Sequence, residues 1–508
     1  MLAQPPIDVV IVGGGTAGWM TAAALAKLLS QVCNVHLVES EEIGIVGVGE
    51  ATLPHIRSFN ERLGIDEAEF MARTRATFKL GIQFENWARI GDRYIHPFGV
   101  FGRGQGDLGF HQYWLRMLHE GHAAGHLDDY SIACTMARSG RFALPSEDPR
   151  KIASTFNYAY QFDATLFAPF LRSIAEQLGA RRTEGRIVDV ELDESNGNVR
   201  AVVLASGDRI AGDLFIDCSG FVSLLVGKTL AEPFQDWSKW LPCDRAVAMP
   251  CKTETAVTPY TSAIAMDAGW RWRIPLQHRT GNGYVYCSRF IGDDEAAQRL
   301  LSRLDGPALG APRPLRFVAG RRKQVWVKNV VAVGLASGFL EPLESTSIHL
   351  IQSMMARLLF MFPGEGFDQA TIDKFNALVR VETEEIRDFL VLHYTVTERN
   401  DTPFWRHCQA IGKPDTLKQK LAMFERSANI VISVGELFRE PSWFAVLMGQ
   451  GPFPKSYHPF ANNISGAELA RRFDLMSSDV QKRVQTYPMH DDFIRTHCAA
   501  PPMPDRMA

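Results

Sequence analysis

The fold is decided by residues 9–19, which read Val9-Val10-Ile11-Val12-Gly13-Gly14-Gly15-Thr16-Ala17-Gly18-Trp19. An apolar strand, a G-x-G-x-x-G turn and an alanine-rich helix together predict a dinucleotide-binding unit. Gly13 permits the tight turn, Gly15 lets backbone N–H groups approach a pyrophosphate, and Gly18 lets the helix lie close to the strand. The positive end of the helix then points at the phosphates.

The second strand of this unit, residues 35–38, ends at Glu39. An acidic residue there can accept hydrogen bonds from both ribose hydroxyls of an unphosphorylated ribose. Strand, turn, helix, strand and acid follow in the order that the unit needs. We therefore interpret residues 9–39 as a cofactor site, in preference to a glycine-rich turn of an unrelated α/β protein.

Composition sets the broad class. The chain has 508 residues, 22% charged and 46% hydrophobic, with a net charge of −3 and both signs interspersed. This is the profile of a globular protein of two or three lobes without a nucleic-acid-binding footprint. The eight cysteines are scattered and form no C-x-x-C pair, which favours reduced thiols in a cytoplasm and argues against a zinc site.

Residues 9–26 are uncharged and could be mistaken for a signal peptide or a membrane span. They lack a basic leader, and four glycines interrupt them between the strand and the helix. A dinucleotide-binding opening explains the whole segment, so we expect no membrane association.

The pattern along the chain predicts a discontinuous cofactor module. An Asn196-Gly197 turn predicts a hairpin between residues 187–192 and 199–204, and apolar strands at 214–217 and 330–333 each run into glycine. Helical patterns dominate from about residue 346 to 480. We predict an α/β fold: a discontinuous Rossmann-type FAD-binding module over 1–360 with mixed β-sheet insertions, and a mainly helical substrate-covering lobe over 361–508. Substrate-side insertions are expected near 91–150 and 231–310.

Two local predictions concern residues 52–85. Thr52 suits a helix N-cap, with Pro54 in the first turn and Gly64 as the stop signal. Residues 78–85 alternate as a strand, which would put Phe78 and its even-numbered partners on one face and Lys79 on the polar face.

Five motifs carry a family resemblance. In order they are Gly-Gly-Gly-Thr-Ala-Gly-Trp at 13–19, Gly-Val-Gly-Glu-Ala-Thr at 47–52, Phe-Lys-Leu-Gly at 78–81, Trp-Arg-Trp-Arg-Ile-Pro at 270–275 and Pro-Leu-Glu-Ser-Thr at 342–346. Together they resemble the flavin-dependent tryptophan halogenases over most of the chain. The resemblance implies an enzyme that uses reduced FAD, oxygen and chloride or bromide to halogenate an electron-rich aromatic compound.

In that family, hypohalous acid travels through a tunnel to a lysine beside the substrate, and Lys79 matches this lysine. Its ammonium could donate a hydrogen bond to hypohalous acid, or its neutral amine could become a haloamine; the sequence leaves both open. A solvated lysine at a strand edge is the structural alternative. Burial would lower the pKa of a lysine in the catalytic role.

The resemblance also implies further FAD contacts beside the glycine turn and Glu39. These are Thr16, Ala17, Val48, Glu50, Ala51, Val188, Leu335, Ser345 and Ile348. Trp270 and Trp272 are expected to pack between flavin and substrate, an indirect role that filling one face of a strand could also explain.

Glu344 matches the family carboxylate that stabilises the cationic ring intermediate and takes its proton. A helix-start glutamate is the alternative. Thr346 and Ser347 open an apolar helix over 348–362, whose free N–H groups would form a halide site. The family often has glycine where Ser347 stands, so the preference between chloride and bromide stays open.

His96 and Phe98 match residues that contact the indole ring, although a core histidine and phenylalanine remain an alternative. Tryptophan-specific members also carry paired tyrosines and a glutamate that hold the amino-acid end. Residues 429–439 contain no tyrosine. A zwitterion buried without partners is costly, so we expect an indole-type substrate in preference to free tryptophan.

Two rival functions differ from halogenation. A flavin-dependent aromatic hydroxylase would share residues 13–39, but such enzymes usually carry Gly-Asp where this chain has Gly334-Leu335. A non-catalytic flavin-binding protein would not need both Lys79 and Glu344. The sequence offers no dedicated NADH site, so we expect a separate NADH-dependent flavin reductase and a small aromatic substrate as partners. A homodimer is compatible with the sequence.

Overall fold

The opening strand and its neighbours form a parallel sheet. The structure, a computed structural model, describes residues 5–42, 49–104, 106, 108–364 and 366–502. Its strands are β1 Ile7–Val12, β2 Cys33–Glu39, β3 Gly49–Ala51, β4 Thr77–Lys79, β5 Gly81–Glu85, β6 Arg93–Pro97, β7 Ala159–Asp163, β8 Arg181–Glu184, β9 Ile187–Leu192, β10 Val199–Leu204, β11 Arg209–Ala211, β12 Leu214–Asp217, β13 Phe234–Asp236, β14 Arg245–Ala248, β15 Thr261–Met266, β16 Gly269–Pro275, β17 Thr280–Tyr286, β18 Arg313–Arg316, β19 Gly320–Arg322, β20 Trp326–Val327, β21 Val330–Ala332 and β22 Gly338–Phe339.

The α-helices cluster at the start and in the last third of the chain. They are α1 Thr16–Leu28, α2 His55–Leu63, α3 Glu67–Arg73, α4 Phe110–His119, α5 Ile132–Arg138, α6 Ala164–Gln177, α7 Asp293–Leu301, α8 Ser347–Phe360, α9 Gln369–Thr395, α10 Pro403–Ala410, α11 Asp415–Ser427, α12 Glu440–Gln450, α13 Gly466–Gln485 and α14 His490–His497. None of these described helices has both the length and the hydrophobicity that crossing a membrane requires.

The cofactor module is a six-stranded sheet in the order β20-β21-β12-β1-β2-β8. β1 lies between β2 and β12 and runs parallel to both. Its residues Val9 and Ile11 are fully buried, as expected for a parallel strand covered on both faces. Since β12 and β21 enter this sheet from distant parts of the chain, the predicted discontinuous α/β fold is confirmed.

The predicted hairpin at Asn196-Gly197 is also present. β9 and β10 pair antiparallel, with Leu192 opposite Val199. Gly197 has a φ of 71°, and the N–H of Asn198 donates to the Asn196 side chain. The turn therefore uses the left-handed geometry that glycine provides.

Two predictions for residues 52–85 were wrong. Thr52 does not cap a helix, because its hydroxyl donates to the carbonyl of Tyr160 at 2.8 Å and so joins the β3–β7 pair. α2 starts only at His55 and ends, as predicted, at Gly64, which has a φ of 73°. The single strand over 78–85 is broken at Leu80, whose N–H donates to Pro259.

That break separates two sheets. β4 pairs with β7 in a small sheet of order β3-β7-β4, whereas β5 belongs to a seven-stranded mixed sheet of order β18-β14-β17-β16-β15-β5-β6. Lys79, at the end of β4, is therefore fully buried and does not lie on a solvated polar face. The break places the lysine where the two sheets meet.

Helices cover the mixed sheet, and they come from earlier parts of the chain as well as from its C-terminal part. α12 contacts β6, and α9 packs beside α8, α10, α11 and α12. α4 and α5, which lie in the region predicted as an insertion near 91–150, pack against α13. These two helices thus join the helices of the C-terminal part.

Candidate active site

The glycine turn is built as the sequence requires. Gly13 has a φ of 109°, and a Cβ there would lie 2.4 Å from the carbonyl oxygen of Cys218. A Cβ on Gly18 would lie 1.9 Å from the carbonyl oxygen of Gly13, so only glycine lets α1 approach the strand this closely. Gly15 has no atom within 4 Å of its Cβ position and faces open space.

That space is a cavity of about 1340 Å³. It exceeds the roughly 300–1,000 Å³ of common small-molecule sites, which suits a ligand the size of a dinucleotide. Most of the predicted FAD contacts line it: Gly13, Gly15, Thr16, Ala17, Glu39, Glu50, Ala51, Leu335, Ser345 and Ile348. The residues present therefore fit the cofactor.

Three predicted contacts differ. Gly18 lies beneath the turn and does not line the cavity. The structure does not bring Val188 to the cavity either: its side chain is 55% exposed, and the preceding Ile187 lines the cavity because side chains alternate along a strand. Val48 lies outside the described residues.

Glu39 faces the cavity next to the glycine turn but already has cationic partners. Its Oε1 accepts from Arg182 at 2.6 Å and lies 3.8 Å from Arg172. Arg172 and Arg186 also line the cavity. The sequence motifs did not indicate these arginines, because they lie outside any local pattern. Their positive charge at the cavity wall suits the phosphates of a dinucleotide.

Trp270 and Trp272 stand in the wall of the same cavity, with ring centroids 6.3 Å apart. The indole N–H of Trp270 donates to Glu341 Oε2 at 3.1 Å, and the hydroxyl of Tyr394 donates to the same oxygen. Burial raises the pKa of Glu341 to about 7. The buried carboxyl group of Glu341 thus anchors Trp270 in this wall.

Lys79 lies on the other side of Ser345. Its Nζ donates to Ser345 Oγ at 2.8 Å and to the Thr52 carbonyl at 3.1 Å, and it lies 5.1 Å from the ring centroid of Phe98. Burial lowers the pKa of Lys79 to about 7, although the charges of Glu344 and Glu50 act in the opposite direction. Since Ser345 also lines the large cavity, one residue connects the lysine with the cofactor side.

Glu344 is fully buried between two histidines. Its Oε2 accepts from His96 Nδ1 at 2.8 Å, and its Oε1 lies 2.9 Å from His393 Nε2. Burial alone would raise the pKa of Glu344, but the histidines outweigh it and lower that pKa to about 2. His393 was missed by sequence reasoning, because no motif marks a histidine inside the long helix α9.

His96 and Phe98 are only 2% and 8% exposed. The ring of His96 contacts Phe389 and Phe438, whose rings stack at 4.0 Å. The two predicted substrate contacts thus come together with Lys79 and Glu344 in a closed cluster. Phe438 lies in the segment between α11 and α12, outside helices and strands.

The predicted halide residues lie at the start of α8. Ser347 is the first residue of the helix and lines the cavity, whereas Thr346 is the fully buried N-cap. Among the described residues the hydroxyl of Thr346 has no hydrogen-bond partner. The first N–H groups of a helix carry partial positive charge, so this end of α8 offers an anion a place beside Ser345.

A cavity of dinucleotide size beside the glycine turn, a tryptophan wall and a buried lysine–glutamate cluster fit a flavin-dependent enzyme. The profile of the family described as tryptophan halogenase matches residues 8–466. The chain belongs to the tryptophan halogenase family of flavin-dependent halogenases.

Individual relatives agree with this assignment. The chain is 35% identical to the tryptophan 6-halogenase of Streptomyces albogriseolus, with 96% of this chain and 98% of the relative covered. A flavin-dependent halogenase from Xanthomonas campestris has a similar structure, with a TM-score of 0.95, 47% identity and 99% and 100% coverage. Another from Brevundimonas sp. has a TM-score of 0.94, 43% identity and 98% and 100% coverage. The rival readings as a hydroxylase or a non-catalytic protein are thereby set aside.

Proposed function

We propose that this enzyme halogenates an electron-rich, indole-type arene with hypohalous acid that Lys79 receives and orients. The observation that carries this proposal is the hydrogen bond from Lys79 to Ser345, a residue that also lines the cofactor cavity. It provides a short connection between the side where the oxidant is made and the side where the ring is substituted.

FAD would be held by the glycine turn, by Glu39 and by the arginines at the cavity wall. When bound in its reduced form, it supplies hypohalous acid from oxygen and a halide. Thr346 and Ser347 would hold the chloride or bromide at the start of α8. A separate NADH-dependent reductase would supply the reduced flavin, as flavin-dependent halogenases require.

Two hydrogen atoms on Lys79 Nζ are used in the bonds to Ser345 Oγ and to the Thr52 carbonyl. One further position on the nitrogen is left for a ligand. As an ammonium it has a third N–H for hypohalous acid, and as an amine it has a lone pair at the same place. A pKa near 7 populates both forms at neutral pH. The tryptophan wall would separate this position from the flavin and so limit direct oxidation of the arene.

Glu344 would act on the ring. The carbon–halogen bond forms as the halogen–oxygen bond of hypohalous acid breaks, and the ring becomes cationic. A buried carboxylate stabilises that cation and accepts the proton as the carbon–hydrogen electron pair returns to the ring. The net reaction converts arene and hypohalous acid into haloarene and water.

The substrate class follows from the segment 429–439. Its buried carboxylate, Glu436, accepts from Lys420 at 2.6 and 2.7 Å and from the indole N–H of Trp443 at 2.9 Å. Because its charge is already paired, it is a poor partner for a substrate ammonium. Without tyrosines in this segment, an indole lacking a free amino-acid head, or a larger molecule bearing one, suits the site better than tryptophan.

The test is a halogenation assay with a flavin reductase, FAD, NADH, oxygen and each halide. We expect a higher kcat/KM for free indole than for tryptophan, with indole substituted at the pyrrole-ring carbon beside the ring fusion, since stacking alone would orient it. Product mass gives the halogen and NMR gives its position. A preference for tryptophan with substitution on its benzene ring would show that another segment holds the amino-acid head.

A further inference from the structure

His393 makes two contacts that a neutral imidazole cannot both satisfy. Its Nδ1 lies 2.8 Å from the carbonyl oxygen of Phe389, one turn earlier in α9. A carbonyl only accepts hydrogen bonds, so Nδ1 carries a hydrogen. Its Nε2 lies 2.9 Å from Glu344 Oε1, which is within ion-pair distance, although the contact is too bent to count as a hydrogen bond. A neutral ring would have only a lone pair left for that carboxylate oxygen.

His490 provides an internal comparison. It is equally buried, and its Nδ1 lies 2.8 Å from the carbonyl oxygen of Val257. Its Nε2, however, accepts the backbone N–H of Phe78 at 3.2 Å. A neutral ring satisfies both contacts, and burial lowers the pKa of His490 to about 4. The two histidines therefore differ in what faces Nε2: a donor at His490 and an acceptor at His393.

We propose that His393 is a positioning residue that carries a proton on both ring nitrogens and thereby keeps Glu344 ionised. This inference rests on the proposed role of Glu344 as the acceptor of the ring proton. With His96 donating to the other oxygen, both oxygens of Glu344 face N–H groups. The carboxylate is then fixed in orientation from two sides.

Keeping Glu344 ionised matters more than making it strongly basic. A halogenated ring cation gives up its proton readily, so a weak base suffices if it carries its charge in every cycle. Burial by itself raises the pKa of Glu344, and a protonated carboxyl group could neither stabilise the cation nor take its proton. The contacts of His96 and His393 with the carboxylate counter this effect of burial.

Other charged and titratable groups surround the pair. His96 lies on β6 and Lys79 on β4, with Glu50 on β3 near Lys79. Tyr94 also feels the charge of Glu344, and its hydroxyl accepts from Gln450 at 2.6 Å. Three aromatic rings, those of Phe84, Trp87 and Phe389, pack against the His393 ring. Within the described part of the chain, Glu344 is the charged group at ion-pair distance from Nε2 of His393.

The direct test is NMR of the whole enzyme with ¹⁵N-labelled histidine, at a pH of about 8, above the ordinary imidazole pKa of about 6.5. We expect both ring nitrogens of His393 to be protonated and only one of His490. His393→Gln and His490→Gln assign the two signals by their loss. An unprotonated Nε2 on His393 in the wild-type enzyme would overturn the proposal.

Glu344→Gln tests the coupling. An amide can donate an N–H to Nε2 of His393 while its oxygen still accepts from His96. We therefore expect His393 to become neutral in this variant and His490 to stay as it is. If His393 keeps both protons without the carboxylate, Glu344 is not what holds the second one, and the proposal fails.

The kinetic test uses His393→Gln. We expect kcat to fall roughly tenfold, a part of the 10²–10⁴-fold that acid–base catalysis contributes, with KM little changed. The acid limb of the kcat profile should move to higher pH, because the pKa of Glu344 rises without the neighbouring charge. His490→Gln should leave that limb in place. An unmoved limb in His393→Gln would mean a purely structural role.

The outcomes separate this inference from the proposed function. If Glu344→Gln halogenates at the wild-type rate, both the role of Glu344 and the positioning role of His393 fall. If that variant is slow but wild-type His393 has a bare Nε2, the proposed function stands and this inference alone is wrong.

Discussion

The two sides of the active site are built in opposite ways. The cofactor side is an open cavity of about 1340 Å³ whose key contacts are glycines and helix-start N–H groups. The proposed substrate side is a closed cluster in which Lys79 and Glu344 are fully buried and contacted by side chains from distant elements. Cofactor binding therefore depends on backbone shape as well as on charged side chains, whereas the proposed chemistry depends on buried charge. Substitutions on the two sides should therefore change different properties: halogenation on the one side, and stability or FAD binding on the other.

The largest effect is expected from Lys79→Ala. Halogenation should fall by a factor of up to about 10⁴, the upper range for removal of a proton-donating or proton-accepting group. Flavin oxidation should continue, because Lys79 does not line the cofactor cavity. NADH-coupled peroxide production measured beside product mass checks both statements. Lys79→Met, which keeps most of the side-chain volume, is the matched control for a packing defect. A halogenating Lys79→Met would show that the nitrogen is not needed.

Glu344→Gln should lower the rate of ring substitution roughly 10²- to 10³-fold, because the amide keeps the shape but loses the charge. Hypohalous acid formation should be unchanged, since the carboxylate faces His96 and His393 and not the cavity. Trapping of hypohalous acid with an added scavenger, beside product formation, makes the comparison. The matched control is Glu341→Gln in the same turn, whose carboxyl group binds Trp270 and Tyr394. An equal loss in both variants would place the effect in the turn and not in Glu344.

The cofactor side should respond through backbone shape. Gly13→Ala places a Cβ 2.4 Å from a carbonyl oxygen at a φ of 109°. We expect a lower melting temperature of the protein without FAD, with about 1–2 kcal/mol lost to the left-handed geometry alone. Gly15→Ala meets no protein atom within 4 Å, so it should melt like the wild type yet bind FAD roughly tenfold, or 1.4 kcal/mol, more weakly. Thermal unfolding and FAD titration test the pair. Equal melting temperatures for the two variants would contradict the distinction.

The same contrast explains what the sequence could predict. The glycine turn, the Asn196-Gly197 hairpin and the start of α8 depend on neighbouring residues, and the structure has all three. The partner of Glu344 could not be found this way, because His96 is 248 residues distant in the chain. Thr52 was misplaced because a hydroxyl that suits a helix cap also suits a strand pair.

The domain division at residue 360 stays a prediction. The sequence alone does not locate this boundary, because the helices that cover the sheet come from both halves of the chain. The contact of α4 and α5 with α13 is an example. Paired side chains such as Lys420 and Glu436 are equally invisible to local patterns, because their distance depends on how α11 and the following segment fold. Substrate specificity depends on contacts of this kind.

Lys79 also imposes a pH dependence on the stability of the fold. Burial lowers the pKa of this lysine from about 10.5 to about 7, so between these values the unfolded chain binds a proton that the folded chain does not. The free energy of unfolding of the wild type should then rise with pH through this window, while below about 7 the full cost of burying the ammonium remains. Lys79→Met removes the titration. Its stability relative to the wild type should therefore be most favourable below pH 7 and decline steadily as the pH rises towards 10.5. Chemical unfolding at several pH values measures the difference, with exposed Lys374→Met as the control that should show no such trend. A constant difference across the window would mean that Lys79 keeps its ordinary pKa in the folded enzyme.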